Sequence, residues 1–171
     1  VVKQRPGSSK PWGENFVLVH SAANQGTAFI HLAGVLFTND TIFVSTDKGM
    51  ILSTDNGSTW RRVADGGHHQ MYRTANGTLY IGGQNGINRS TDRGASWTDV
   101  ANSPNGSAVI GDGKRLFTSW AKCCGVPNIM WTATESIGTD WKVYTSPNVA
   151  DAVWLAYFAY DHNTHVLYAD V

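Results

Sequence analysis

The chain has 171 residues, which is long enough for one domain with a substantial core. Lys plus Arg and Asp plus Glu each number 13, so the formal net charge is zero and we expect no nucleic-acid partner. No apolar run approaches the roughly 18 residues that span a bilayer, so we also expect no membrane span.

Taken in chain order, the sequence predicts short strands joined by turns, and almost no helix. Residues 12–20 are compatible with one strand near the start. Short β-branched and aromatic runs then alternate with Gly, Asn and Asp, which is typical of antiparallel hairpins. In the clearest unit we predict strands A to D at 70–74, 78–82, 86–90 and 96–100. Near the end, residues 166–171 resemble another strand B.

One octapeptide occurs twice, and a weaker copy follows it. The first octapeptide, residues 53–60, is Ser-Thr-Asp-Asn-Gly-Ser-Thr-Trp. The second octapeptide, residues 90–97, is Ser-Thr-Asp-Arg-Gly-Ala-Ser-Trp and lies 37 positions later. In the third octapeptide, residues 134–141, Ser136 stands where the Asp is expected. The same offset aligns the preceding strands, and four strands in about 37 residues is the size of a propeller blade.

Turn chemistry accounts for the octapeptide without a ligand. An Asp carboxylate can accept backbone N–H bonds, Ser adds a local donor or acceptor, and Gly supplies a positive φ. The Trp opens strand D, and burying it fully is worth at most about 4–6 kcal/mol. We therefore predict structural roles for Ser53, Asp55, Gly57, Trp60, Ser90, Asp92, Gly94, Trp97, Gly138 and Trp141.

The motif Ser-x-Asp-x-Gly-x-Thr-Trp, ending a third strand and opening a fourth, resembles the Asp-box (BNR repeat) of sialidase-like β-propellers. The resemblance covers about residues 38–141. It implies an all-β propeller of four-stranded antiparallel blades with Asp-box hairpins. That family includes sialidases, xyloglucan-cleaving glycosidases, lectin-like proteins, sorting-receptor ectodomains and photosystem assembly factors, so the box alone does not select a function.

We expect residues 1–171 to form a single Asp-box propeller domain with partial blades at both ends. Placing residues 12–20 and 166–171 in one blade gives a ring of about four blades. The alternative is a larger ring that a second chain or a missing segment completes.

Strand alternation divides the connections between two faces of the ring. The A–B and C–D turns share what we call the octapeptide face, and the B–C and D–A connections share what we call the B–C face. In the family that the motif resembles, the boxes lie away from the active site. We therefore expect ligand-binding residues on the B–C face.

The third B–C loop is the longest of its kind. Leu79 to Ser90 spans 11 positions and Leu116 to Thr134 spans 18, so seven residues are inserted, within 119–127. The insertion contains Trp120, Cys123 and Cys124. An exposed Trp beside a vicinal cysteine pair would form a flat apolar platform for a sugar ring. The alternative is a longer loop with a buried Trp and two inert thiols.

The two cysteines are adjacent, so they cannot join distant parts of the fold. Neighbouring Cα atoms lie about 3.8 Å apart, below the usual disulfide range of roughly 4.4–6.8 Å. They are two free thiols, a strained vicinal disulfide or links to another chain.

Three more candidates lie on the B–C face: Asp47 in the first B–C loop, and His68 and His69 in a D–A connection. Adjacent residues of an extended chain point to opposite sides, and no carboxylate follows at a metal-binding spacing. We therefore expect no metal and no cofactor, and a hydrogen-bonding or core role for the histidines.

Catalysis would need two placed carboxylates, or in sialidases a Tyr with an acidic partner. The chain has two Glu, of which Glu14 is near the start and Glu135 falls in the third octapeptide, on the wrong face. If the chain is a glycosidase, the candidates on the B–C face are Asp47, Asp65 and Asp151. Sialidases also carry an Arg-Ile-Pro motif, whereas Arg5-Pro6 has no Ile between, which argues against sialidase activity.

Five Asn-x-Ser/Thr sequons point to the secretory route, and we expect a secreted glycoprotein. Three of them are Asn-Gly-Ser/Thr, which turn chemistry favours in any case. The sequons begin at Asn39, Asn56, Asn76, Asn88 and Asn105.

These observations favour a secreted, lectin-like propeller that binds a glycan or polysaccharide without cleaving it. One alternative is a glycoside hydrolase of sialidase-like or xyloglucanase-like type. A second alternative is a protein-binding scaffold. The expected carbohydrate-binding residues are Trp120, Cys123, Cys124, His68, His69 and Asp47.

Overall fold

The computed structural model describes residues 2–4, 16–18, 32–38, 40–46, 48–65, 68–83, 85–106, 108–120, 129–144 and 158–169. Within these ranges every helix-or-strand element is a β-strand. The strands in chain order are β1 Val2–Gln4, β2 Phe16–Leu18, β3 Leu32–Phe37, β4 Ile42–Thr46, β5 Gly49–Ser53, β6 Arg61–Asp65, β7 His68–Arg73, β8 Leu79–Gly83, β9 Gly86–Ser90, β10 Thr98–Asp99, β11 Ala108–Gly111, β12 Arg115–Trp120, β13 Ile129–Thr134, β14 Lys142–Val143, β15 Phe158–Asp161 and β16 Val166–Ala169.

Three four-stranded antiparallel meanders make up the centre of the fold. Sheet I contains β3 to β6, sheet II β7 to β10 and sheet III β11 to β14. Strands A to C of the clearest unit appear in sheet II as predicted. Strand D is shorter than predicted, because residues 96 and 97 still belong to the turn and β10 begins at Thr98.

The first strands of neighbouring sheets lie side by side, as the innermost strands of propeller blades do. Ala108 of β11 pairs in parallel with Gln70 of β7, which joins sheets II and III into one eight-stranded sheet. The Gln70 side chain also donates to the Phe158 carbonyl at 2.9 Å and accepts from the Phe158 amide at 3.3 Å. The first strands of three successive units, β7, β11 and β15, therefore lie next to one another.

Burial follows the strand order within each sheet. Every residue of β5 and β8 is buried, because both are inner strands of their sheets and carry residues of the apolar clusters between sheets. Both residues of β10 and of β14 are exposed, because the fourth strands form the outer edge. The position of a strand within its sheet thus explains why the inner strands are mostly apolar and the outer strands are polar.

Three apolar clusters lie between successive sheets. The first joins Phe43 and Met50 of sheet I to Ile81 of sheet II. The second joins Tyr80 and Ile87 of sheet II to Leu116 of sheet III. The third joins Phe117 and Met130 to Phe158 of β15. Phe43, Tyr80 and Phe117 occupy equivalent positions in strand B, and each is at most 3% exposed.

Glycines of the octapeptides pack directly on these aromatic rings. A Cβ placed on Gly94 would lie 2.4 Å from Phe43 Cε1, and one placed on Gly138 would lie 2.3 Å from the Tyr80 hydroxyl oxygen. Trp97 then meets Phe43 edge to face, with ring centroids 6.4 Å apart. The C–D turns of sheets II and III therefore close the core against the preceding sheet.

The ends of the chain depart in part from expectation. Strand β2 lies inside the predicted segment 12–20, but it pairs with β1 in a separate hairpin. Strand β16 lies in the predicted segment 166–171 and pairs with β15. Among the strands that the structure describes, the two hairpins do not hydrogen-bond to each other, so the single blade combining both ends is not seen there.

Gly94 should tolerate a side chain far less well than Gly113, although their φ angles are 84° and 87°. A Cβ on Gly113 meets open space, so Gly113→Ala should cost only the backbone strain, about 1–2 kcal/mol. Gly94→Ala adds overpacking against Phe43, typically a further ~1–3 kcal/mol. Urea unfolding of both variants measures the difference, and equal losses of stability would show that the Phe43 contact does not constrain the fold.

Candidate functional site

The first octapeptide forms a closed turn that uses its own polar side chains. The Ser53 hydroxyl donates to Asp55 Oδ1 at 2.8 Å and accepts from the Gly57 amide at 2.8 Å. Asp55 then accepts from the Thr59 amide on Oδ1 at 2.8 Å and from the Thr59 hydroxyl on Oδ2 at 2.5 Å. Both carboxylate oxygens are therefore engaged inside the turn.

The second octapeptide repeats this geometry. Ser90 donates to Asp92 at 2.7 Å and accepts from the Gly94 amide at 2.8 Å. The Ser96 amide and hydroxyl donate to the two Asp92 oxygens at 2.9 and 2.5 Å. Two turns of the same sequence type thus adopt the same hydrogen-bond pattern.

The third octapeptide closes a related turn with its carboxylate at a different position. Asp140 accepts from the Thr134 amide at 2.9 Å and from the Thr134 hydroxyl at 2.7 Å. The carboxylate has moved from the third to the seventh position of the motif, and its hydroxyl partner is the residue at the first position. Trp141 still donates to the Gly138 carbonyl at 3.1 Å, as Trp60 does to Gly57. From the sequence, the third octapeptide lacks the carboxylate at its third position, because Ser136 replaces the Asp. In the structure Asp140, the seventh residue of this octapeptide, supplies the carboxylate.

These hydrogen bonds stabilise the ionised carboxylates. The hydroxyl and then the amide of Thr59 lower the pKa of Asp55 from 3.8 to about 2. The same two groups of Ser96 lower the pKa of Asp92 from 3.8 to about 2. The Thr134 hydroxyl lowers the pKa of Asp140. All three side chains are anionic at neutral pH, with acceptors already used by their own turns.

Glu135 is tied into a contact between sheets. Its Oε2 accepts from the Tyr72 hydroxyl of β7 and from the Gly113 amide, both at 3.1 Å. Burial raises the pKa of Tyr72 above its usual range, and the charge of Glu135 adds to this effect. Through Gly113, which lies in the A–B turn of sheet III, Glu135 is held on the octapeptide face.

On the B–C face, the first two sheets have short connections. Residues 47–48 join β4 to β5, and residues 84–85 join β8 to β9. In the first of these, Thr46 Oγ1 donates to the Gly49 carbonyl at 2.7 Å and accepts from the Lys48 amide at 3.2 Å. In the third sheet the connection runs from residue 121 to residue 128.

The structure places part of the predicted insertion in a strand. Ser119 is buried within β12, and Trp120 is the last residue of that strand, opposite Ile129. The insertion therefore begins after Trp120, because Trp120 ends β12 at the position where Gly83 ends β8, 37 positions earlier. Cys123 and Cys124 lie outside the described residues, as do Asp47 and Asp151.

The two histidines begin strand β7. His68 lies opposite Gly83, and a bulge follows between His68 and Met71. The His69 carbonyl accepts from the Ser45 hydroxyl of sheet I at 2.6 Å, so this segment joins two sheets. Across the part of the chain that the structure describes, no group of three or more His, Cys, Asp or Glu is arranged to hold a metal.

Asp65, the remaining catalytic candidate, forms an ion pair. Its Oδ1 lies 2.7 Å from Arg62 Nε, and its side chain is 90% exposed. The Arg62 guanidinium also donates to the Lys48 carbonyl of the first B–C turn. An exposed carboxylate held this way lacks the enclosed environment that tunes a general acid.

No family model and no curated protein matches the chain, but solved structures do. An ancestral GH74 enzyme aligns with 76% of this chain and 21% of its own, at 18% identity and a TM-score of 0.57. The extracellular domain of the one-component system BT4673 from B. thetaiotaomicron aligns with 81% of this chain and 19% of its own, at 13% identity and a TM-score of 0.61. A chain of a nidogen/laminin complex aligns with 84% of this chain and 59% of its own, at 12% identity and a TM-score of 0.62.

At these identities the similarity shows the fold alone. The neighbours are β-propellers, so the predicted all-β propeller fold is confirmed. The chain spans about a fifth of the length of the GH74 enzyme it matches. Among the described residues, no helix is long and apolar enough to cross a membrane.

Stability should fall between pH 4 and pH 2 as the octapeptide carboxylates take up protons. Asp92 has a pKa of about 2 when folded against 3.8 as the reference, so its contribution is present above pH 3.8 and is lost as pH falls through 2. Asp92→Asn should flatten the pH dependence of the urea midpoint in this window, and Asp55→Asn with Asp92→Asn should flatten it further. Parallel curves for wild type and variants would contradict the assignment.

Proposed function

We propose that this chain is a carbohydrate-binding propeller of the Asp-box type, which binds sugar on the B–C face without cleaving it. The observation that carries the proposal is the difference between the B–C connections. Two of them have two residues, whereas the third runs from 121 to 128 directly after Trp120. Long connections on a compact scaffold are where binding residues concentrate.

The Asp-box part of this proposal is supported by the turns themselves. In the first two octapeptides, Ser, Asp, Gly and the second hydroxyl residue each take part in one hydrogen-bond pattern. These groups explain the motif without a ligand. The B–C face, where the third connection is longer than the other two, then remains as the surface for a sugar.

Binding is favoured over cleavage by the partners of the described carboxylates. Asp65 is paired with Arg62, and Glu135 accepts from Tyr72 and Gly113 on the other face. The similarity to a GH74 enzyme keeps a glycoside hydrolase as the second candidate, with Asp47 and Asp151 as its remaining carboxylates.

A protein-binding scaffold is less well supported. Its hallmark would be an apolar patch on the B–C face. The exposed large apolar side chains of the described residues instead lie on strands β3, β14 and β16 and in the third octapeptide, at Val35, Phe37, Ile137, Val143, Val166 and Tyr168.

Secretion and ring completion belong to the same proposal. Among the sequon asparagines, Asn56 and Asn105 are exposed and so accessible to glycosylation. Asn56 lies in a turn of the octapeptide face, so a glycan there would leave the sugar site open. A further segment or a second chain would complete the ring, in keeping with the small share of the GH74 enzyme that the chain covers.

The test is a glycan array followed by titration of the best neutral oligosaccharide. Trp120→Ala should weaken binding at least tenfold, about 1.4 kcal/mol, whereas Trp120→Tyr should retain most of it because an aromatic face remains. Near-ultraviolet circular dichroism verifies that each variant is folded.

An NMR titration of the wild-type protein with the sugar tests the same site without relying on a variant that must fold. The indole N–H resonance of Trp120, assigned through Trp120→Tyr, should shift on addition of sugar, while those of Trp60 and Trp141 should not. Absence of sugar binding, or an unmoved Trp120 resonance, would refute the proposal. Turnover of an aryl glycoside that is abolished by Asp47→Asn or Asp151→Asn would establish the hydrolase instead.

A further inference from the structure

A cleft of about 280 Å³ opens on the octapeptide face between sheets I and II. It lies between the A–B turns of the two sheets and the second octapeptide, and Leu79 forms part of its apolar wall. Its polar lining includes Arg73, Arg93, Asp40, Asn76 and Thr91. The volume is close to the lower limit of small-molecule sites, roughly 300 Å³.

Arg93 occupies a backbone conformation that suits other residues better. Its φ is 60°, in the left-handed region, at the position where the first octapeptide has Asn56 with φ 58°. Asn tolerates this region, whereas a long side chain there costs about 1 kcal/mol or more. Turn formation therefore does not explain the arginine, and its side chain lines the cleft.

Arg73 also departs from the repeat. In strand A it pairs with Leu79, and the equivalent pairs in sheets I and III are Phe37 with Ile42 and Gly111 with Leu116. A cation at this position is therefore not a requirement of the blade. Two arginines 20 positions apart, each absent from the equivalent positions of the other units, line the same cleft.

The cleft has donors for an anion and an acceptor for hydroxyl groups. The ion pairs found among the described residues, Arg62–Asp65 and Arg115–Asp112, include neither cleft arginine. Asn76 Oδ1 accepts from the Thr74 hydroxyl and the Thr78 amide, which leaves its amide nitrogen as a donor. Asp40 Oδ1 accepts from the Thr41 hydroxyl, which leaves Oδ2 as an acceptor.

We propose that this cleft binds a uronic acid residue of an acidic polysaccharide. The two guanidinium groups match a planar carboxylate, which Arg binds through paired N–H donors. With Asp40 the formal charge of the cleft is +1, which favours a singly charged ligand over a phosphate dianion. Asp40 and Asn76 provide the acceptor and donor that sugar hydroxyls need and a simple carboxylate does not. The site lies on the face opposite the proposed neutral-sugar site, so it does not depend on that proposal.

The test is calorimetric titration of the full chain with trigalacturonate at low salt, with maltotriose as the neutral counterpart. Trigalacturonate should bind and weaken as salt rises, and maltotriose should not compete for the cleft. Arg93→Asn and Arg73→Gln should each reduce trigalacturonate affinity at least tenfold. Because Arg93→Asn installs the residue of the first octapeptide, its melting temperature should equal or exceed that of the wild type.

Two control variants separate the cleft from general charge effects. Arg61→Gln removes an exposed arginine outside the cleft and should leave binding unchanged. Asp40→Asn should strengthen acetate binding because it removes a repulsive charge, and should strengthen trigalacturonate binding by less because the free Oδ2 acceptor is replaced by an amide donor. An unchanged affinity in Arg93→Asn, or no binding by the wild type, would overturn the site. A tetraglutamate peptide that binds as tightly as trigalacturonate would overturn the sugar assignment.

Discussion

The contact between an octapeptide glycine and an aromatic ring of the preceding sheet determines how successive sheets pack. Gly94 lies against Phe43, and Gly138 lies against Tyr80, at distances that leave no room for a Cβ. The rings are 37 positions apart, but the glycines are 44 apart, because the third unit carries a seven-residue insertion. The contact is retained because the extra residues lie in the B–C connection, at the other end of the strands.

The third octapeptide shows which part of the motif the fold requires. It keeps the glycine at positive φ and the Trp side chain bonded to the glycine carbonyl. It replaces the Asp-to-hydroxyl bonds by Asp140 accepting from Thr134. The fold therefore requires the packing of the glycine against the aromatic ring. The turn that contains this glycine can be closed by more than one arrangement of a carboxylate and a hydroxyl group.

The packing of glycines against aromatic rings leaves different features free to vary on the two faces. On the octapeptide face the Asp oxygens are engaged within the turns, so new chemistry can arise only from side chains that the turn leaves free, such as Arg93. On the B–C face the connections can lengthen without disturbing the contacts between sheets. The long connection after Trp120 is a variation of the second kind, on the B–C face, and the arginine cleft is a variation of the first kind, on the octapeptide face.

The sequence by itself determined the repeat, the four-stranded unit and the strand positions of sheet II, because turn residues and alternation are local properties of the chain. It also located the irregular B–C connection. It missed Asp140, since a carboxylate can reach the same hydroxyl from either end of a turn, and it placed Ser119 in a loop when strand pairing extends through Trp120. The hydrogen bonds between Gln70 and Phe158 join different units, and the cleft brings Asp40 of sheet I together with Arg73 and Arg93 of sheet II. Only the tertiary structure decided them, because they depend on how sheets pack and not on local pattern.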